Sequence, residues 1–231
     1  MTRIRLNSTQ IKSTAIAVFV KTPGLSPVKT RLAASIGTAA AEEFYKLCTE
    51  AIQKSLSSAK ESMDIVPFWA VGEQAGLDHP LWQSFESIHT GEGDLGERQH
   101  HIYQYLQSKY QRVILIGADS PQLCARHLND AITALDNHQF ALGPAVDGGY
   151  YLFAGRVPIA KDIWTNITYS AADTARQLLA KLPATVATLD MLTDVDRIDD
   201  LRVLKAELRA QTDLSDTLRQ LVRWLETYQH S

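Results

Sequence analysis

At 231 residues the chain is long enough for one large α/β domain with a substantial core, or at most two small ones. Hydrophobic residues make up 45% and charged residues 21%, which excludes a disordered or fibrous chain. A formal net charge of −3 argues against a broad basic surface for nucleic acid, so phosphate binding would rest on a few placed cations.

The stretch from Met1 to Thr14 is polar and lacks the apolar run of a signal peptide. Ala15 to Val20 is short, apolar and β-branched, as in a strand buried on both faces. A Gly/Pro segment, Lys21 to Lys29, follows. From Thr38 to Ala59, Ala41, Phe44, Leu47, Cys48, Ala51 and Ile52 recur at helical spacing. Ile65 to Val71 suits a second strand. A glycine-rich acidic loop, Gly91 to Gly96, leads into a helix from Glu97 to Lys109. Val113 to Ile116 is the clearest buried strand. A helix is expected at Ala125 to Asn137, then strands at Phe140 to Leu142 and Tyr150 to Phe153. Ala171 to Leu182 reads as helix and Ala184 to Leu189 as strand. Asp199 to Tyr228 forms one amphipathic helix or two.

Strands alternating with helices point to a three-layer α/β fold around a mostly parallel, doubly wound sheet. No linker divides the chain, so one domain is expected over 1–231, with a core at about 14–201 and a helical extension at 202–231. No segment reaches the ~18 continuous apolar residues that would span a membrane, and the expected location is cytoplasmic. Cys48 and Cys124 stand at no metal-ligand spacing, and each is expected to be a buried, reduced thiol. In open sheets ligands bind beyond the carboxyl ends of the strands. Of twelve glycines, eight fall there: Gly24, Gly91, Gly93, Gly96, Gly117, Gly143, Gly148 and Gly149.

Five segments carry candidate chemistry. The first, from Lys21 to Leu32, sets Gly24 among the cations Lys21, Lys29 and Arg31 ahead of a helix. Such a loop can bind a diphosphate, or it can be a solvated basic turn. It matches neither the Walker A nor the dinucleotide glycine pattern. The second is Gly117-Ala118-Asp119-Ser120-Pro121, past a buried strand. Asp119 can ligate Mg²⁺ or Mn²⁺, or open the next helix as an N-cap. The third is Asp147-Gly148-Gly149-Tyr150, either a structural hairpin or a polar-edged platform for a hydroxylated substrate. In the fourth, Asp194 and Asp196 project to one side if extended, and one of them can be a second metal carboxylate. Asp199 and Asp200 then serve the next helix N-terminus. In the fifth, Gly91 to Arg98, Arg98 can meet a phosphate or a sugar acid, unless the loop is only a mobile acidic surface.

Taken in order, FVKTPGLSPVKTRL (Phe19 to Leu32), GDLGER (Gly93 to Arg98), IGADSPQL (Ile116 to Leu123), GPAVDGGYYL (Gly143 to Leu152) and DVDRIDDL (Asp194 to Leu201) resemble a bacterial family of GT-A-like transferases. This is the DUF2064-type glycosyltransferase family, named for a genomic association with radical SAM and selenium-related proteins. It is related to the sugar-nucleotide transferases and the molybdopterin-cofactor guanylyltransferases. The resemblance runs from about Ala15 to Leu201. It implies a nucleotide-diphospho-sugar transferase (GT-A) fold, with Asp119 at the acidic metal position and Asp196 at the late one. It also implies that Lys29 and Arg31 face the diphosphate. Three positions depart from the family pattern: Ser120 replaces a second carboxylate, Tyr169-Ser170-Ala171-Ala172 replaces Trp-Ser-Thr-Pro, and Arg197 stands where Thr is common.

The expected activity is transfer from a nucleotide-activated donor to a small acceptor, most simply glycosyl transfer with Mg²⁺ or Mn²⁺ on Asp119 and Asp196. Lys21, Gly24, Lys29, Arg31 and Arg98 are the expected nucleotide and phosphate contacts. Asp94, Asp147, Gly148, Gly149 and Tyr150 are the expected substrate contacts, with Asp147 and Lys29 in catalysis. Nucleotidyl transfer with release of pyrophosphate suits the same residues, and a nucleotide sensor without turnover is a third reading. The C-terminal helix, with Trp224, could serve a homodimer. Neither nucleic acid nor membrane is an expected partner.

Overall fold

The computed structural model describes residues 14–211 and 213–228, so the polar N-terminal stretch lies outside the described residues except for Thr14. A seven-stranded sheet forms the middle layer, in the order β3-β2-β1-β4-β6-β5-β7. Its strands are β1 (Thr14–Val20), β2 (Ile65–Val71), β3 (Glu86–His89), β4 (Arg112–Gly117), β5 (Phe140–Pro144), β6 (Tyr150–Gly155) and β7 (Val186–Thr188). Only β6 runs antiparallel to its neighbours, β4 and β5; every other pairing is parallel.

Strand alternation sorts the core onto two faces. In β1, Ile16, Val18 and Val20 join the cluster covered by α2 (Thr38–Ser62) and α4 (Ala125–Asn137). Ala15 and Ala17 face the opposite cluster, which is covered by α3 (Leu95–Gln107), α5 (Lys161–Thr165) and α6 (Thr174–Lys181). A third cluster gathers α1 (Thr30–Ile36), α7 (Ile198–Arg209) and α8 (Asp216–Thr227) against α2, around Phe44, Leu204, Leu208, Leu221 and Trp224. The layers are those of an α/β, mostly parallel doubly wound fold. No helix among the described residues is long and apolar enough to cross a membrane.

Two expected elements, Ile65 to Val71 and Ala125 to Asn137, keep both boundaries. The helix expected from Ala171 starts at Thr174, and Tyr169, Ser170 and Ala171 instead wall the site described next. Three elements, α1, β3 and α5, were not expected from the sequence. Each is seven residues or fewer and carries no long apolar period.

Candidate active site

Loops leaving the carboxyl ends of β1, β2, β4 and β5 surround a cavity of about 790 Å³. The β1 loop is pinned at its start. Lys21 N donates to Tyr45 Oη, which donates back to Lys21 O, at 2.9 and 3.0 Å. Thr22 N donates to Glu73 Oε2 at 2.8 Å, and Trp82 Nε1 donates to Thr22 Oγ1 at 3.1 Å. Gly24, at φ +87°, lets the chain turn so that Leu25 N and Ser26 N both donate to Thr22 O. Gly24 shapes the loop rather than lining the cavity.

Lys29 then adopts φ +48° and turns inward at the start of α1. Its side chain is only 3% exposed, so this cation does not belong to a solvated turn. Its ammonium lies 2.5 Å from Asp119 Oδ1 and also donates to Val195 O. Burial works against its charge, but Asp119 and then Asp194 outweigh that cost, and its pKa is raised. Arg31, by contrast, is exposed and pairs with Asp196 at 2.5 Å.

The acidic loops are sewn to one another. Val195 N donates to Asp119 O at 3.1 Å, while Ser120 Oγ and Gln122 Nε2 donate to Thr193 O at 3.0 and 2.8 Å. On the other side, Leu192 N donates to Pro144 O, and Val146 N to Leu192 O. The segment from Leu192 to Asp196 therefore lies extended between the β4 and β5 ends. Asp194 and Asp196 both line the cavity, with Asp119 and Asp147. Asp194 is pushed up to about 8, first by burial and then by Asp119, against the pull of Lys29. Four aspartates thus share one cavity with Lys29 and Arg31, and burial, with Asp119 second, favours the protonated form of Asp194. Asp194 is the acidic residue that the sequence left undecided beside Asp196. Asp199 and Asp200 sit in the first turn of α7, and Asp200 Oδ2 accepts from Asp196 N and Arg197 N at 2.9 and 2.7 Å. Among the described residues no three Asp, Glu, His or Cys side chains gather into a ready-made metal cage.

The remaining candidates divide. Asp147 sits in the β5–β6 hairpin, where its Oδ1 accepts from Gly149 N at 2.8 Å, and it also lines the cavity. The hairpin reading therefore holds, and its aspartate faces the cavity as well. Gly148, at φ +90°, packs so closely on Ala172 that a Cβ would stand 2.0 Å from its carbonyl oxygen. Asp94 is the N-cap of α3 in a reciprocal capping box with Glu97, a structural role away from the cavity lining. Arg98 lines the cavity, but its Nε donates to Gly93 O and its Nη1 to Gly72 O and Thr90 Oγ1.

Tyr150 Oη donates to Gln99 Oε1 at 2.6 Å. Gln99 is a functional candidate not expected from the sequence, whereas Tyr169 was met there only as a departure from the family pattern. Gln99 interrupts the apolar stripe of α3 that Ile102, Tyr103 and Leu106 continue, and that misplaced polar residue was the available signal.

Cys48 is buried as expected, and burial raises its pKa. Cys124 corrects the same expectation: it is only half-buried, its Sγ lies 3.3 Å from His127 Nδ1, and that contact lowers its pKa to about 7 against the effect of burial.

Three comparisons place the chain among known proteins. The model of the family described as "Uncharacterized protein conserved in bacteria (DUF2064)" matches residues 54–171. Curated proteins give no match. Among solved structures, the chain is similar to a candidate nucleotide-diphospho-sugar transferase from Desulfovibrio desulfuricans G20. The two are 28% identical over 93% of this chain and 97% of that one, with a TM-score of 0.78. It shares its fold with 4-diphosphocytidyl-2C-methyl-D-erythritol synthase from Anaerococcus prevotii DSM 20548, at 11% identity, coverage of 86% and 99%, and a TM-score of 0.54. It also shares its fold with Rv0371c from Mycobacterium tuberculosis H37Rv, at 14% identity, coverage of 84% and 98%, and a TM-score of 0.53.

Proposed function

The chain belongs to the DUF2064 family of proteins conserved in bacteria, and we propose that it is a metal-dependent transferase that moves a glycosyl group from a nucleotide-activated donor to a small acceptor. One observation carries the reading: Asp119, Asp147, Asp194 and Asp196 meet Lys29 and Arg31 around one cavity at the carboxyl ends of the strands. The likeness to the Desulfovibrio protein, which extends over nearly the whole of both chains, supports it.

The donor set suits a hard divalent cation. The carboxylates of Asp119, Asp147, Asp194 and Asp196 offer the oxygen ligands that such a cation prefers. Mg²⁺ is usually held by one or two carboxylates together with substrate phosphates, so a complete protein cage is not required. Asp119 and Asp196 would hold Mg²⁺ or Mn²⁺, which supplies charge neutralisation at a leaving diphosphate. Arg31 is exposed at the mouth and can turn from Asp196 to phosphate oxygens, while Lys29 adds a fixed positive charge beside Asp119. Asp147 is held by the Gly149 amide through Oδ1, which leaves Oδ2 to orient an acceptor hydroxyl or take its proton.

The test is to incubate the protein with Mn²⁺ and a panel of nucleotide sugars and nucleoside triphosphates. Nucleoside diphosphate release on adding acceptor supports glycosyl transfer. Pyrophosphate release would instead make the protein a nucleotidyltransferase, and binding without turnover a sensor. Calorimetry provides the site-level check: Asp119→Asn is expected to lose most Mn²⁺ affinity in the presence of nucleotide. Equal Mn²⁺ binding by the variant and the wild type would remove Asp119 from the metal site.

A further inference from the structure

Resting on that transferase reading, we propose that Gln99 is the specificity-determining residue of the acceptor end of the cavity, and that it selects a neutral, hydroxyl-bearing group of sugar or polyol type. The side chain is 8% exposed and lines the cavity. Its carboxamide is fixed by its oxygen: Tyr150 Oη donates to Oε1 at 2.6 Å, and Tyr169 Oη lies 3.4 Å from the same atom. Tyr169 is itself held by donation to Trp164 O at 3.0 Å. With the oxygen so engaged, the amide nitrogen turns the other way, and among the described residues it has no protein partner. Two N–H donors on a pre-oriented carboxamide in the cavity wall match the oxygens of a hydroxylated ligand.

The wall around this carboxamide is built to hold its shape. Gly96, one turn earlier on α3, has no room for a Cβ, which would stand 2.4 Å from Trp164 O and 2.9 Å from the Tyr169 ring. Ser170 holds φ +57°; it and Lys29 are the two non-glycine residues with positive φ among the described residues, and both line this cavity. Residues held in that conformation persist where the surroundings over-determine them, typically at ligand sites. Charge sets the ligand class. Gln99, Tyr150, Tyr169 and Ser170 carry none, Arg98 directs Nε and Nη1 at Gly93, Gly72 and Thr90, and Lys161 pairs with Glu97. Asp147, which also lines the cavity, disfavours an acid group placed beside it.

The experiment is a chemical-shift titration of the full chain with methyl α-D-glucopyranoside, with glucuronate, and separately with Mn²⁺-pyrophosphate monitored by calorimetry. The glucoside should bind, shifting the Gln99 side-chain amide signals, and glucuronate should bind more weakly. Gln99→Met should weaken glucoside binding about tenfold, the worth of one lost hydrogen bond, and leave pyrophosphate binding unchanged. Gln99→Glu keeps an oxygen for Tyr150 and should lose the glucoside similarly, so the result does not depend on the Met variant folding. No glucoside binding by the wild type, equal binding by both variants, or preference for glucuronate would overturn the assignment. Loss of pyrophosphate binding in the wild type would sink the transferase reading instead, with the glucoside result still standing on its own.

Discussion

Lys29 and Arg31 lie two residues apart and face the same cavity, yet they respond differently to substitution. Lys29 is buried against Asp119, whose own side chain is 37% exposed. Removing one member of a buried pair strands the other charge, at about 3–5 kcal/mol when both are sealed from water. Half-exposure of Asp119 reduces this, so Lys29→Ala should lose about 2–3 kcal/mol in a denaturant titration. Arg31→Ala breaks an exposed pair and should stay within about 0.5 kcal/mol of wild type. Equal losses would mean that Lys29 is not sequestered as described. Arg31→Ala is therefore the variant that isolates phosphate binding from folding. The two cysteines differ in the same way. Cys124 has a lowered pKa, so its thiolate is present above about pH 7 and lost below it. Iodoacetamide labelling of Cys124 should rise through that pH, whereas Cys48 should label only on unfolding. A midpoint at the ordinary thiol pKa of about 8.5 would show that His127 does not activate Cys124.

At the level of elements, legibility tracked how local the cause was. Ile65 to Val71 and Ala125 to Asn137 were readable to the residue, since an unbroken apolar run and a clean amphipathic period each specify their element without outside help. The edge strand β3 is four residues with one large apolar side chain, and it exists because β2 offers it a partner. Helix α1 was hidden between Pro27 and Gly37, and its left-handed start at Lys29 is stabilised by a loop far along the chain. The C-terminal helices bury their apolar faces on α1 and α2, with the Trp224 ring 5.2 Å from Phe44 and 4.5 Å from Tyr228. Trp224→Ala should therefore cost about 3–5 kcal/mol, the range for emptying a large aromatic site. A loss under about 1 kcal/mol in the same titration would show α8 to be an appendage.

For the whole molecule, alternation of strands and helices was enough to reach the layered architecture, because that pattern leaves few ways to bury every apolar face. The candidate site was only half legible. Period-two spacing put Asp194 and Asp196 on one side, but which of them is buried depends on bonds from Leu192 to Pro144 and from Val195 to Asp119. Such depth is a property of packing between distant segments, and no local pattern encodes it. The inward turn of Lys29 and the carboxamide orientation of Gln99 were invisible for the same reason.

The stitched strip from Leu192 to Asp196 also orders events during synthesis. A ribosome that has released the chain as far as Asp119 has delivered β1, β2, β3 and β4, with Lys29, but nothing that closes the cavity. The hairpin bearing Asp147 follows, and Asp194 and Asp196 emerge near the end, immediately before α7 and α8 cover the remaining apolar faces of α1 and α2. A nascent chain stalled at Asp119 thus carries Lys29 and an acidic loop without the segments that complete the cavity around them. On the function proposed above, ligand capture requires this strip to be docked, so retention on a pyrophosphate matrix would select chains extended beyond Asp196 over those stalled before it.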